Sequence, residues 1–120
     1  MLRIGVDLIE VERVGRVMAR YGERFFARFF TDTERAQCHD VPARLAARIA
    51  AKEAVAKALG TGIGDVHWVD IEVCLDERGA PRLLLHGDAA ALANQLGLRE
   101  WQVSLSHTEG HAMGFVVGLG

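Results

Sequence analysis

Ala50-Ala51-Lys52-Glu53-Ala54-Val55-Ala56-Lys57-Ala58-Leu59-Gly60 reads as the second half of one alanine-rich helix. Charge falls at three positions only, and Gly60 stands where a left-handed residue closes a helix. Pro42 suits a first helical turn, so the helix is expected over residues 42–59. Its methyl surface lets another element or a ligand approach closely. Lys52 and Lys57 are the only two lysines; the other twelve basic residues are arginine. Lysine is a compact, flexible point charge, whereas arginine is a planar fork. Two lysines flanking one glutamate imply a site that needs an ammonium, to hold phosphate or a reacting oxygen.

Outward from this helix the chain divides cleanly. Residues 2–11 are apolar and β-branched and read as a strand that looks central. Residues 11–30 carry helical spacing with a break at Gly22. Residues 32–39 form a short helix capped by Thr31 or Asp32. Thr61-Gly62-Ile63-Gly64 is a loop, and not a phosphate cradle, because it follows a helix C-terminus. Strands are expected over 66–75 and 81–86, joined by a turn at 76–79. Asp88 caps a helix ending near Gly97. Strands over 101–107 and 112–117 close the chain through Glu109-Gly110. The order predicts one α+β domain over residues 1–120, with a mostly antiparallel sheet packed on the long central helix.

Composition narrows the function. The net charge of −2 gives no overall nucleic-acid-like excess. No uncharged run approaches the ~20 residues of a membrane span, and the N-terminus lacks a signal-peptide apolar region. Cys38 and Cys74 read as reduced packing residues, so a cytoplasmic location is expected. A domain this short buries only about two-thirds of its unfolded surface. Val103, Leu105, Phe115 and Val117 exceed what its few helices can cover, which favours burial between subunits.

Several polar residues stand out. Asp7 shares a strand face with Arg3, Gly5 and Ile9; a carboxylate there needs an arginine, a helix N-terminus or a metal. Gly5 leaves room beside it. Glu53 and Lys57 share a helix face, as a surface ion pair or as part of a site. Asp7 and Glu53 together would suit a hard cation that keeps several waters, the Mg²⁺ pattern. Arg48 and Arg44, one and two turns earlier, would add positive charge for phosphates. In Val103-Ser104-Leu105-Ser106-His107-Thr108, His107 ends an apolar face as a core residue or a ligand, and Ser106 points the other way. Arg13, Arg16, Arg20, Arg24 and Arg28 form a basic stripe, either a solvated face or a dock for an acidic partner.

Three motifs together resemble the holo-acyl-carrier-protein synthases, the short bacterial class of 4′-phosphopantetheinyl transferases. They are Gly5-Val6-Asp7-Leu8-Ile9-Glu10-Val11-Glu12-Arg13, Arg48-Ile49-Ala50-Ala51-Lys52-Glu53-Ala54 through Gly64, and Val103 to Thr108. Their order and spacing span nearly the whole chain. Ile49 and His111 depart from the family pattern at what read as packing positions. The resemblance implies the 4′-phosphopantetheinyl transferase fold. It implies transfer of phosphopantetheine from coenzyme A to a serine of an acidic acyl carrier protein, as in fatty acid biosynthesis, with release of adenosine 3′,5′-bisphosphate. It further implies Mg²⁺ on Asp7 and Glu53, and Glu53 and Lys57 as catalytic groups. Arg48, His107 and Thr108 become coenzyme A contacts, Arg13, Arg16 and Arg20 carrier contacts, and the assembly a homotrimer with sites between subunits. The competing readings are a non-catalytic coenzyme A or carrier-binding module, and a small nucleic-acid binder, which the negative net charge counts against.

Overall fold

The structure, a computed structural model, describes residues 1–61 and 64–120. Gly62 and Ile63, inside the expected glycine loop, lie outside the described residues. The chain runs β1 (Leu2–Glu10), α1 (Val11–Tyr21), α2 (Glu23–Phe29), α3 (Asp32–Cys38) and α4 (Pro42–Ala58). A 3₁₀ turn (Trp68–Asp70), β2 (Ile71–Leu75), β3 (Pro81–Leu85), α5 (Gly87–Gln95), β4 (Glu100–His107) and β5 (His111–Leu119) follow. The α+β expectation holds. The strands form two antiparallel sheets: β1-β5-β4, and the hairpin β2-β3. α4 lies across β1 and β5.

The sequence explains most boundaries. Gly22, with φ of 54°, separates α1 from α2. Thr31 caps α3 in a reciprocal box with Glu34. Gly60, with φ of 77°, closes α4: its N–H donates to Lys57 O and that of Thr61 to Ala56 O, a Schellman ending.

α4 is buried almost all round, including Ala46, Ala47, Ala50, Ala51, Ala54, Ala56 and Ala58. Two glycines let it lie directly on the sheet. A Cβ on Gly5 would sit 1.9 Å from Ala54 O, and one on Gly114 would sit 2.4 Å from Ala51 N. The room that Gly5 leaves is therefore filled by the helix backbone, which corrects the expectation of space for a ligand.

Lys52 is the largest side chain fully buried in the structure. Its Nζ donates to Glu34 Oε1 at 2.8 Å, Trp68 O at 3.0 Å and Ile71 O at 2.5 Å. Glu34, also fully buried, accepts from Val73 N and Thr31 N. An ammonium with three donors thus meets three acceptors. Burial lowers its pKa from the ordinary 10.5, and Glu34 opposes that by holding it charged. The inference that Lys52 serves the same site as Lys57 is corrected: the two side chains end in different environments.

Four further expectations change. The strand over 66–75 is only Ile71–Leu75, because the Trp68 and Ile71 carbonyls turn toward Lys52 and Asp70 accepts from His67 N. His86, not Asp88, is the N-cap of α5; Asp88 sits in the first turn, where its charge complements the helix N-terminus. β1 is an edge strand, with β5 central. Its Arg3, Gly5, Asp7 and Ile9 side faces α4, while Leu2, Ile4, Val6 and Leu8 lie 48–63% exposed. Met113, Phe115 and Leu119 of β5 continue that outer face. Val103 and Leu105, expected to be uncovered, instead pack against the core.

Gly114→Ala or Gly5→Ala should lower stability by about 2 kcal/mol or more, because backbone, not a pliable side chain, must give way. Thermal unfolding of each variant measures it; a melting temperature equal to wild type would show that α4 can lift from the sheet freely.

Candidate functional site

Asp7 reaches the α4 side of β1 because strand alternation puts it there and Gly5 lets the helix approach. Glu53, one residue past the buried Lys52, is carried about 100° further round α4 and emerges half-buried at the sheet edge. Both line a cleft of about 550 Å³ with Glu10, Arg13 and His111, over a floor that includes Val14, Phe25 and Ile49. Lys57 closes the arrangement: its Nζ donates to Asp7 Oδ1 at 3.1 Å and Val6 O at 3.0 Å. The ion pair thus joins Lys57 to Asp7 rather than to Glu53.

Burial, then the nearby Asp7, push the Glu53 carboxyl above its ordinary 4.5, with Lys57 partly opposing. A carboxyl whose ionisation a neighbouring carboxylate opposes is relieved by a hard cation. The donor set therefore fits Mg²⁺: two carboxylates from two rigid elements, with room for water and phosphate oxygens.

A second cleft of about 550 Å³ lies on another side of α4, lined by Gln37, His39, Arg44, Arg48, Pro81 and Ser104, among others. Arg48 is only 5% exposed. Its Nη1 donates to Arg44 O at 3.3 Å, but its Nε is buried with no partner. A buried guanidinium with an unsatisfied donor beside a second arginine suits an anion.

The other sequence-derived residues are dispersed. His107 is exposed at the end of β4 and lines neither cleft. Thr108 exchanges bonds with His111 across the hairpin turn: its N donates to His111 O at 2.8 Å, and its Oγ1 accepts from His111 N at 3.2 Å. Arg13 reaches the first cleft. Arg16 pairs with Glu12 in solvent, and Arg20 and Arg24 flank the Tyr21 ring. The stripe thus continues across the Gly22 bend on exposed surface. His111, read as packing, is exposed on the rim of the first cleft; Ile49 is buried as expected. Glu10, which the first motif contains but to which no role was given, lines the first cleft, and Gln37 and His39, which no motif marked, line the second.

The sequence profile of the 4′-phosphopantetheinyl transferase superfamily matches residues 3–116. The chain belongs to that superfamily. It is 50% identical to the holo-[acyl-carrier-protein] synthase of Herpetosiphon aurantiacus, over 100% of both chains. It is 49% identical to that of Moorella thermoacetica, over 93% of this chain and 89% of the relative. Among solved structures, the Neisseria meningitidis holo-[acyl-carrier-protein] synthase superposes with a TM-score of 0.88 at 32% identity, covering 98% of each chain. The Helicobacter pylori enzyme, solved in complex with coenzyme A, gives 0.88 at 29% identity, over 97% of this chain and 99% of that one. The family's fold and enzyme class therefore apply to this chain.

The raised Glu53 carboxyl has a consequence for stability. A carboxyl whose folded-state pKa is raised contributes fully below its unfolded value, near 4.5, and loses that contribution as pH rises through the folded value. At neutral pH, ionised Glu53 therefore opposes folding. Glu53→Gln should melt at a higher temperature than wild type at about pH 7 in chelator, with the gap closing toward about pH 4. Melting curves across that range decide it: a variant no more stable than wild type at neutral pH would contradict the raised pKa.

Proposed function

We propose that this chain transfers 4′-phosphopantetheine from coenzyme A to a serine of an apo-acyl carrier protein, with Mg²⁺ held by Asp7 and Glu53. The observation that carries the reading is the meeting of Asp7 and Glu53, with Lys57 and Arg13 beside them, in one cleft. In the reaction the serine oxygen bonds to the phosphorus that bears pantetheine. The pyrophosphate P–O bond breaks, and adenosine 3′,5′-bisphosphate leaves with the bonding pair. Mg²⁺, when bound, neutralises the pyrophosphate and the leaving group. Glu53 takes the serine proton, directly or through a water; burial and the nearby Asp7 raise its carboxyl above the ordinary 4.5, which makes it a stronger base. Lys57 leans from Asp7 toward the phosphoryl oxygens, where its charge offsets the charge that develops. Arg48 and Arg44 receive the nucleotide phosphates, which satisfies the orphaned Arg48 Nε.

His107 and Thr108 remain as phosphate contacts in this reading, supplied by a neighbouring copy, since within one chain they line neither cleft. The uncovered outer face of β1 and β5 supports a homotrimer that buries it. Arg13, Arg16 and Arg20 meet the acidic recognition surface of the carrier protein, for which their exposed positions are suited. Among the described residues no helix is long and apolar enough to cross a membrane. Free Cys38 and Cys74 support a cytoplasmic location.

Incubation with coenzyme A, Mg²⁺ and a purified apo-carrier protein should add the phosphopantetheine mass to the carrier. Asp7→Asn should reduce that turnover by about a hundredfold or more while leaving the fold intact. Near-normal turnover of the variant across a Mg²⁺ titration would remove Asp7 from the metal site. Assembly is tested separately by following sedimentation and specific activity through one dilution series. The two should fall together; a fully active monomer would refute both the trimer and the shared site.

A further inference from the structure

The cation pair is only as well placed as α4 is well rotated. Glu53 projects from α4 and Asp7 from β1, so the two carboxylates face one another only at one angle of the helix about its axis. A carboxylate about 5 Å from the axis moves about 2 Å when the helix turns about 20°. That exceeds the tolerance of about 0.5 Å that a functional constellation allows.

What resists such a turn is unevenly distributed. Most of the buried side chains on α4 are alanine, and methyl groups give shallow ridges. The contacts with Gly5 and Gly114 set how near the helix lies to the sheet, but packing contacts have little directional preference. Lys52 is different. Its Nζ makes three directional bonds: to Glu34 of α3, and to Trp68 and Ile71 where the 3₁₀ turn runs into β2. Glu34 is itself held by Thr31 N and Val73 N. The anchor is rigid on both sides, and Glu53 is the next residue.

We propose that Lys52 is a positioning residue: its buried ammonium fixes the rotation and register of α4, and through them the direction in which Glu53 faces Asp7. This rests on the reading of Asp7 and Glu53 as the cation pair. Buried ion pairs are often replaceable by apolar residues without loss of stability, and their best-attested use is to fix register. Positioning and stability can therefore be separated.

The test compares Lys52→Met, whose side chain is similarly long and unbranched, with Lys52→Met combined with Glu34→Gln, which removes the stranded carboxylate. Melting temperature, Mn²⁺ affinity of the protein alone by electron paramagnetic resonance, and kcat and KM for coenzyme A are measured for each. Both variants should fold. Mn²⁺ affinity should fall by about tenfold or more, as when a supporting partner of a metal ligand is lost, and kcat should fall with KM for coenzyme A little changed. Adding Glu34→Gln should raise the melting temperature without restoring Mn²⁺ affinity. If affinity and kcat instead follow the melting temperature back, Lys52 is structural only and the proposal is overturned. Wild-type affinity in both variants, or failure of both to fold, overturns it equally. Asp7→Asn in the otherwise unaltered chain is the control: undiminished Mn²⁺ binding there would sink the cation reading itself, and this proposal with it.

Discussion

The structure depends on one buried ion pair. Lys52 and Glu34 are both withdrawn from water, and each ends in a full set of bonds. Removing one partner of such a pair costs about 3–5 kcal/mol, because the other is left charged and dry. The pair ties together four elements: α3, α4, the 3₁₀ turn and β2. The hairpin β2-β3 shares no ladder with the sheet β1-β5-β4, so this polar junction does part of what strand pairing does elsewhere.

On its other side α4 meets the sheet through absence of side chains. Gly5 and Gly114 face the helix backbone at distances that no Cβ could share. Close approach has a functional effect: it brings the edge strand near enough for Asp7 and Glu53 to line one cleft and for Lys57 to reach both Val6 O and Asp7. The clefts then divide the chemistry by charge. One side of α4 presents carboxylates, and another presents a buried guanidinium with an unmet donor.

Much of this was legible in the residues. Helix ends carried their own signals at Gly22, Thr31, Pro42 and Gly60, because capping is local chemistry. Asp7 and Glu53 were legible because a carboxylate among apolar residues and alanines demands a partner. Lys52 was misread because its partners are tertiary: nothing near position 52 announces Glu34 or the carbonyls of Trp68 and Ile71. The same holds for β1, whose apolar side faces outward. Alternation shows that two faces differ, but not which one a helix will cover, and here Gly5 rather than Leu2 or Ile4 marks the covered side. The dispersal of His107 and Thr108 away from Arg48 was equally beyond reach, since their motifs record residue types and not where the fold places them.

The burial of Lys52 also makes this protein unusually simple for amine chemistry. Of its two lysines, one is sealed in the interior and the other, Lys57, is more than half exposed. A mild acylating reagent on the folded chain therefore meets one lysine, besides the terminal amine. That lysine is the one bonded to Asp7, so its reaction reports on that contact. The mass increment at position 57 thus becomes a chemical gauge of the cleft. It reads out whether Lys57 is bonded to Asp7 or engaged by an occupant of the cleft, with no probe to be engineered into the chain.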